Sequence, residues 1–463
     1  MSTSELDKYK VDHLFLLIGE NPLPNYVAAK TLLEEGGKPY LVFTEHTDKP
    51  AKRLKEELGL SDQELVPLDN YQSNAHEIKE RIRQKIKEIQ SNFPDKKQFG
   101  LNYTGGTKAM AVHAYQALLH PDKEKSDIKL VPPPFLSYLD SSSLKMLIDQ
   151  EKDHPIPCDI SKESLELSLE KLFRLHGLSL SKVPKIHVTL PELVEAIVKN
   201  NLAWREWCKN QLYIEGRQKE EVERVQTKLE IQDKETNENQ NNLVTEIYFK
   251  FGEWKNATNL RDLSLPIHEL PKEITYVLEK YNFLDCNGNL SIQTIEESLQ
   301  QIEDKKRIPK PKKNKDYPKE ICKWLEGIWL EDYVLQQLKK IEIECLININ
   351  DIGMSFDFPE KADIAFFEFD VAFLRGYQLF AISCTTDNTE NLCKSKLFEA
   401  YRRARLMGGD EARIALVCYS DKPNKIKQSF RSQINDSKVR VFGSQDITDL
   451  SEKLKAWIQE VDA

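Results

Sequence analysis

FEFDVAFLRGYQLFAISCTT, residues 367–386, decides how the C-terminal part of this chain folds. From Phe367 to Leu374 the residues are apolar except for Glu368 and Asp370, the pattern of a largely buried strand. Arg375 and Gly376 form a tight turn. A second apolar strand then runs into Ser383, Cys384, Thr385 and Thr386. Glu368 and Asp370 are two residues apart and project to the same face of their strand. Two acids on one face of a hydrophobic strand are costly to bury unless they bind a metal or pair with cations. The plainer reading is the solvated outer face of an edge strand.

The flanking segments extend the pattern. Upstream, ICKWLEGIWLEDYVLQQLKK (321–340) reads as an amphipathic helix, with Ile328, Leu335 and Leu338 on one side and Glu331 among them. A helical Glu more often reaches solvent at the edge of an apolar face. Downstream, KSKLFEAYRRARLMGGDEARIALV (394–417) reads as a helix followed by another core strand. It carries Lys394, Lys396, Arg402, Arg403 and Arg405. All five read first as ordinary solvated helix charge, and the three arginines alternatively track a phosphodiester backbone.

The chain has 463 residues, 40% hydrophobic and 30% charged, which predicts two to three globular domains. No apolar run approaches the length a bilayer requires, and the N-terminus lacks the pattern of a secretory signal, so a cytoplasmic protein is expected. The eight cysteines form no CxxC pair, and Cys345, Cys384 and Cys418 sit in strand-like apolar runs. They read as reduced core residues and not as zinc ligands. A net charge of −9 argues against a surface coated along its length by nucleic acid and permits a local basic cleft.

Residues 12 to about 150 alternate strand and helix. Strands are expected at 13–18, 39–44, 64–68, 98–103 and 127–131, helices at 24–35, 50–58, 73–92 and 107–119, and a closing hairpin at 134–149. That rhythm predicts a largely parallel sheet. Ligands of such sheets bind beyond the carboxyl ends of the strands. Two loops there stand out: Gly19–Asn25 after the first strand, and Asn102–Lys108 after the fourth. In the second, Gly105-Gly106 opens a helix, offering backbone N–H groups and a favourable dipole for phosphate, with Thr104, Thr107 and Lys108 beside it. It is neither a P-loop nor a GxGxxG fingerprint, and the bland reading is a tight turn capped by Thr107. Thr44, after the second strand, is a further candidate.

The middle is mostly helical: 161–176, 191–199, an exposed helix or insert over 215–242, and helices around a small hairpin at FLDCNGNLSI (283–292). Asp285, Asn287 and Asn289 do not make a calcium loop, because Gly288 falls at the fourth loop position instead of the sixth. KKRIPKPKKNK (305–315) is a basic linker. The expected limits are 1–158, 159–304, 305–316 and 317–463.

IGENPLPN (18–25) with NYTGGTKAM (102–110) resembles the CARF domain of CRISPR-associated proteins, a Rossmann-like sensor of cyclic oligoadenylates. The resemblance covers about the first third. It implies that Asn21, Pro24, Asn25, Thr104, Gly105, Gly106, Thr107 and Lys108 line a cleft across a homodimer axis. A twofold cleft suits a ring of even symmetry, cyclic tetra-adenylate first and a ring of six next. GIWLEDYV (327–334), FEFDVAFL (367–374) and GYQLFAISCTT (376–386) resemble the PD-(D/E)xK nuclease half of single-chain CARF effectors of type III CRISPR systems.

The implied architecture is α/β: an N-terminal CARF domain, a helical middle and a C-terminal restriction-endonuclease-like domain. By this resemblance Glu331 and Asp370 hold Mn²⁺ or Mg²⁺, and the activated dimer cleaves single-stranded RNA, DNA or both. Where the family has Glu-x-Lys, this chain has Ser383-Cys384-Thr385. Glu368 with Lys394 or Lys396 would replace the lost pair; or Ser383 and Thr385 would serve two metals as oxygen ligands; or the site is dead. Retention of Glu331, Glu368 and Asp370 together favours an active, re-wired centre. The alternative is a non-catalytic nucleotide sensor whose helical middle binds DNA.

Overall fold

The structure, a computed structural model, describes residues 5–119, 130–150, 153–161, 165–224, 244–306, 316–345, 347, 349–359 and 367–460. Most of the strand expected at 127–131, most of the basic linker at 305–315 and much of the 215–242 insert lie outside them. The chain divides into two units, one of residues 1–187, 338–446 and 450–463, the other of residues 188–337 and 447–449.

The N-terminal part of the first unit is a seven-stranded sheet. Its strands are β1 (Val11–Leu17), β2 (Leu33–Phe43), β3 (Leu65–Pro67), β4 (Phe99–Asn102), β5 (Phe135–Asp140), β6 (Lys145–Ile148) and β7 (Ile156–Cys158). They lie in the order β3-β2-β1-β4-β5-β6-β7, the first five parallel and the last two antiparallel. Helices α1 (Leu23–Leu32), α2 (Asp48–Leu58), α3 (Ala75–Asn92) and α4 (Lys108–Leu119) connect the parallel strands. A sheet covered on both faces buries alternate residues in two cores. Leu14 and Leu16 of β1 enter one core, Phe15 and Leu17 the other. Helix α3 covers the second with Ile78, Ile82, Ile86 and Ile89, a stripe at helical spacing. Asn74 starts it by accepting hydrogen bonds from the N–H groups of His76 and Glu77, at 3.1 and 3.2 Å.

Of the helix expected over 161–176, only α5 (Leu169–Leu175) forms among the described residues. The Ser168 hydroxyl accepts from Lys171 N at 3.2 Å and fixes the start there. Phe173 of α5 packs edge-on to Phe358 at 4.8 Å and Phe356 at 5.5 Å, so the helix joins the core of the C-terminal sheet.

The second unit holds α6 (Pro191–Lys199), α7 (Asn201–Trp207), α8 (Tyr213–Gly216), a hairpin of β8 (Arg217–Arg224) and β9 (Val244–Trp254), α9 (Ala257–Arg261), α10 (Lys272–Lys280), α11 (Ile292–Lys306) and α12 (Tyr317–Lys323). Within 283–292, read as a small hairpin, a tight turn is closed by the Leu284–Leu290 bridge, and β11 (Leu290–Ser291) pairs instead with the distant β10 (Ser264–Leu265). Asp285 is spent inside its turn, accepting from the N–H groups of Asn287 and Asn289. Residues 217–224, expected within an exposed helix or insert, are instead a strand. Pairing with Val244–Trp254 outweighs the helical preference of their Glu and Lys residues. The helix expected over 321–340 is interrupted by a π turn at Trp324–Ile328 and resumes as α13 (Trp329–Cys345). The boundary between the units falls within α13, and Cys345 ends that helix instead of lying in a strand.

The C-terminal sheet orders β12 (Asp351–Phe358), β13 (Phe367–Arg375), β14 (Gln378–Thr385), β15 (Arg413–Cys418) and β16 (Val439–Phe442) as written. The first three are antiparallel neighbours; β14, β15 and β16 run parallel. Helices α14 (Glu390–Gly408), α15 (Pro423–Arg431) and α16 (Leu450–Gln459) follow. Phe358 stacks on Phe367 at 4.4 Å, which fixes the β12–β13 register and sets Glu368 and Asp370 on the opposite face.

His176, just after α5, gives this core an acid sensitivity. Its Nε2 is sealed from solvent without a hydrogen-bond partner, although part of the residue reaches the surface. Burial, and then the charge of Arg53, lower its pKa to about 4. A histidine depressed in the folded state takes up its proton more readily when unfolded. Its stabilising contribution is therefore complete above about pH 6.5 and lost as pH falls from there towards 4. The expected loss at pH 4 is roughly 3 kcal/mol. Thermal melts of His176→Gln should show a markedly smaller drop in Tm between pH 7 and 4.5 than the wild type; an equal drop would place the acid sensitivity elsewhere.

Candidate active site and ligand loops

Glu331 lies in the first turn of α13, on the buried side with Leu335 and Leu338, and is 8% exposed. Its neighbour Asp332 is structural: the carboxylate accepts from Trp324 Nε1 at 2.5 Å and Thr189 N at 3.3 Å, fixing the helix just after the π turn. Glu368 and Asp370 share one face of β13, and each offers an oxygen within 4.8 Å of the other. Two carboxylates this close repel one another unless a cation sits between them or a proton neutralises one. Burial first, then the charges of Asp370 and Asp357, push the Glu368 pKa up to about 7, although its side chain keeps contact with solvent. An all-oxygen, acidic donor set of this kind suits a hard divalent cation such as Mg²⁺ or Mn²⁺.

Asp370 is held firmly. Its Oδ2 accepts from Ser383 Oγ at 3.0 Å and from Cys384 N at 2.5 Å. Directly across the ladder, Ser355 takes a φ of +58°, an uncommon conformation for a non-glycine residue, and interrupts β12 opposite Asp370. Nothing in the sequence signals that kink, since serine has no preference for it. Lys396 Nζ lies 3.9 Å from Asp370 Oδ2 and donates to Cys384 O at 3.3 Å. Lys394 instead pairs with Glu390 at 2.5 Å. Thr385 Oγ1 accepts from Asp387 N at 3.2 Å, shaping the turn that leads to α14. Thus Glu368, Asp370, Ser383 and Lys396 come together, while Lys394 and Thr385 are engaged in local contacts; Glu331 belongs to the other unit. Of the three arginines, Arg405 pairs with Asp436, Arg403 lies 4.4 Å over the Phe367 ring, and Arg402 is exposed.

Sequence reasoning passed over Asp357 and Lys182, both close to Glu368. Asp357 stands opposite Glu368 in the ladder, and its ion pair with Lys182 measures 2.7 Å. Asp357 carried a detectable signal, an acid alternating with phenylalanines at 356 and 358. Lys182, remote in sequence, carried none.

At the N-terminal sheet, strand order reverses between β1 and β4, and the two glycine-bearing loops leave from their carboxyl ends. This is the switch point where ligands of open α/β sheets bind. The loops touch: a Cβ on Gly19 would lie 3.3 Å from Gly106 N. Asn25 is fully buried and its Nδ2 donates to Leu17 O at 2.9 Å, tying the first loop to β1. Asn21 Oδ1 accepts from Leu23 N at 3.0 Å, and Pro24 lies in the first turn of α1. Thr104 Oγ1 accepts from Leu139 N at 2.7 Å, and Thr107 Oγ1 accepts from Met110 N and donates to Gln72 O. Gly106, Thr107 and Lys108 are exposed at the start of α4. Thr44, just after β2, is 3% exposed, and its hydroxyl is engaged with Thr47 Oγ1 at 3.3 Å.

The chain shares this organisation with known proteins. Residues 14–128 match the Card1 CARF domain, and residues 318–461 match the Card1-like endonuclease domain. The crystal structure of protein VC1899 from Vibrio cholerae is similar, with a TM-score of 0.64 and 15% identity over 97% of this chain and 98% of that one. So is Can2 from Sulfobacillus thermosulfidooxidans, determined in complex with cyclic tetra-adenylate, with a TM-score of 0.60 and 16% identity over 96% and 99%. At such identities the likeness is one of fold. No curated protein matches the sequence. The chain belongs with the CARF-domain effector nucleases, joining a Card1 CARF domain to a Card1-like endonuclease domain.

Proposed function

We propose that this chain is a homodimeric nuclease of type III CRISPR defence, switched on by cyclic tetra-adenylate and dependent on Mn²⁺ or Mg²⁺. It would cleave single-stranded RNA, DNA or both. Glu368 and Asp370, within 4.8 Å of each other on one face of β13, carry this reading, because a decayed site has no reason to keep two repelling acids on an otherwise apolar strand. Those carboxylates would hold the divalent ion, which polarises the scissile phosphate and lowers the pKa of a bound water. Ser383 and the Cys384 amide keep Asp370 oriented. Lys396 supplies the cation that the missing Glu-x-Lys lysine would otherwise place near the phosphate, where charge develops in the transition state.

In the CARF domain the Thr104–Lys108 loop and the start of α4 would receive the phosphates of the ring. Asn21 supports coupling between the domains: its Nδ2 lies 3.0 Å from where a Cβ on Gly409 would stand, at the end of α14. The same helix carries Lys396 near its other end.

Incubation of the purified chain with labelled single strands tests the proposal. Cutting that needs both the metal and cyclic tetra-adenylate supports it; ligand-independent cutting, or none under any condition, sinks it. Within this scheme Lys396→Ala should lower the single-turnover rate by roughly 100-fold, as loss of a group stabilising developing charge does. Lys394→Ala should change it little. Equal effects of the two would remove Lys396 from the assigned role.

A further inference from the structure

The acidic face extends beyond Glu368 and Asp370. In the β12–β13 ladder Asp357 stands directly opposite Glu368. Opposed side chains in an antiparallel pair have Cβ atoms about 4.5–5.5 Å apart, and like charges so placed are destabilising. Lys182 sits against this pair: Nζ is 2.7 Å from Asp357 Oδ2, and its positive charge also acts on Glu368.

Lys182 lies outside the segment matched as endonuclease, on the chain leaving the CARF domain after α5. That segment is bound to the edge of β12. Ser181 N and Oγ both donate to Asp357 O, at 3.0 and 3.1 Å. Lys185 N donates to Met354 O at 3.1 Å, and Met354 N to Lys185 O at 2.9 Å. An exposed ion pair alone contributes little. Here backbone bonds on both sides of Lys182 fix the ammonium beside a carboxylate pair that adjoins the metal cluster.

We propose that Lys182 is a positioning residue of the nuclease centre: delivered by the chain that leaves the sensor, its ammonium holds Asp357 and Glu368 side by side, so that Glu368 stays turned towards Asp370. This rests on the nuclease reading above. It makes part of the metal centre's outer shell a property of the sensor's connecting segment, so that segment and metal loading are linked.

Mn²⁺ binding to the full-length chain, measured by calorimetry without substrate, tests it. Lys182→Met should raise the Mn²⁺ Kd about 10-fold, the lower end of what loss of an outer-shell partner costs. Lys182→Arg should recover most of that. In an Asp357→Asn background, where the like-charge pair is gone, Lys182→Met should have much less effect. A purely structural role for the segment would lower Tm and leave the Kd unchanged, and that result overturns the proposal. Tighter Mn²⁺ binding by Lys182→Met would also overturn it, by marking the ammonium as a competitor of the metal. So would a wild-type chain that binds no Mn²⁺. A chain that binds Mn²⁺ yet cuts no strand with cyclic tetra-adenylate present would defeat the nuclease reading, while the comparison of Kd values still decides the role of Lys182.

Discussion

Asp370→Asn should lower strand cleavage by at least about 100-fold, through loss of a metal ligand, without loosening the fold. Asparagine keeps a carbonyl oxygen able to accept from Ser383 Oγ and Cys384 N, the two donors that hold the native side chain. What disappears is one of two carboxylates whose oxygens lie within 4.8 Å. In metal-free protein that removal relieves repulsion, so Tm should hold or rise, as commonly happens when a functional cluster is neutralised. The charge of Asp370 is also the second-largest influence raising the Glu368 pKa to about 7. Its loss should bring Glu368 down towards the ordinary carboxylate range, a shift measurable by NMR titration. A variant retaining more than a tenth of the wild-type rate would show that the Asp370 carboxylate is not a ligand. A variant that melts well below the wild type would show that its role is architectural.

Gly105→Ala should abolish the response to cyclic tetra-adenylate while leaving the nuclease sheet intact. A Cβ at position 105 would stand 2.1 Å from Leu17 O, 3.1 Å from Asn25 Oδ1 and 3.2 Å from Gly19 N. Leu17 is the last residue of β1, and its carbonyl also accepts from Asn25 Nδ2, so it has no room to withdraw. The second loop must therefore move away from the first. Overpacking of this kind costs about 1–3 kcal/mol. Charged against the ligand-competent arrangement, that corresponds to a Kd up to roughly 100-fold weaker. Calorimetry with cyclic tetra-adenylate measures it. Lys108→Ala, which removes a single exposed cation, should weaken binding less. An unaltered Kd for Gly105→Ala would show that the contact between the two loops is not what forms the receptor.

Much of this was legible from residue order alone because burial imposes a period. The β1 run is apolar on both faces, which only a sheet covered on both sides explains, and the Phe367–Thr386 stretch alternates so that its acids fall on one face. Other features were not legible. The strand at Arg217–Arg224 depends on a partner beyond residue 243, and local preference points the other way. The π turn at Trp324–Ile328 and the left-handed Ser355 have no sequence signature. Local order offered both Lys394 and Lys396 as replacement cations; their spacing on α14 turns one towards Glu390 and the other towards Asp370.

The sequence by itself determined which residue types were available: three acids, two glycine-bearing loops at strand ends, and a lost Glu-x-Lys pair. These follow from covalent order and the two periods of backbone geometry, which act over a few residues. Only the tertiary structure decided which charges meet. Lys182 and Asp357 are 175 positions apart yet form an ion pair, because an edge strand with unpaired backbone groups captures the segment that passes it. Coulomb interaction depends on distance in space, and no pattern along the chain encodes it.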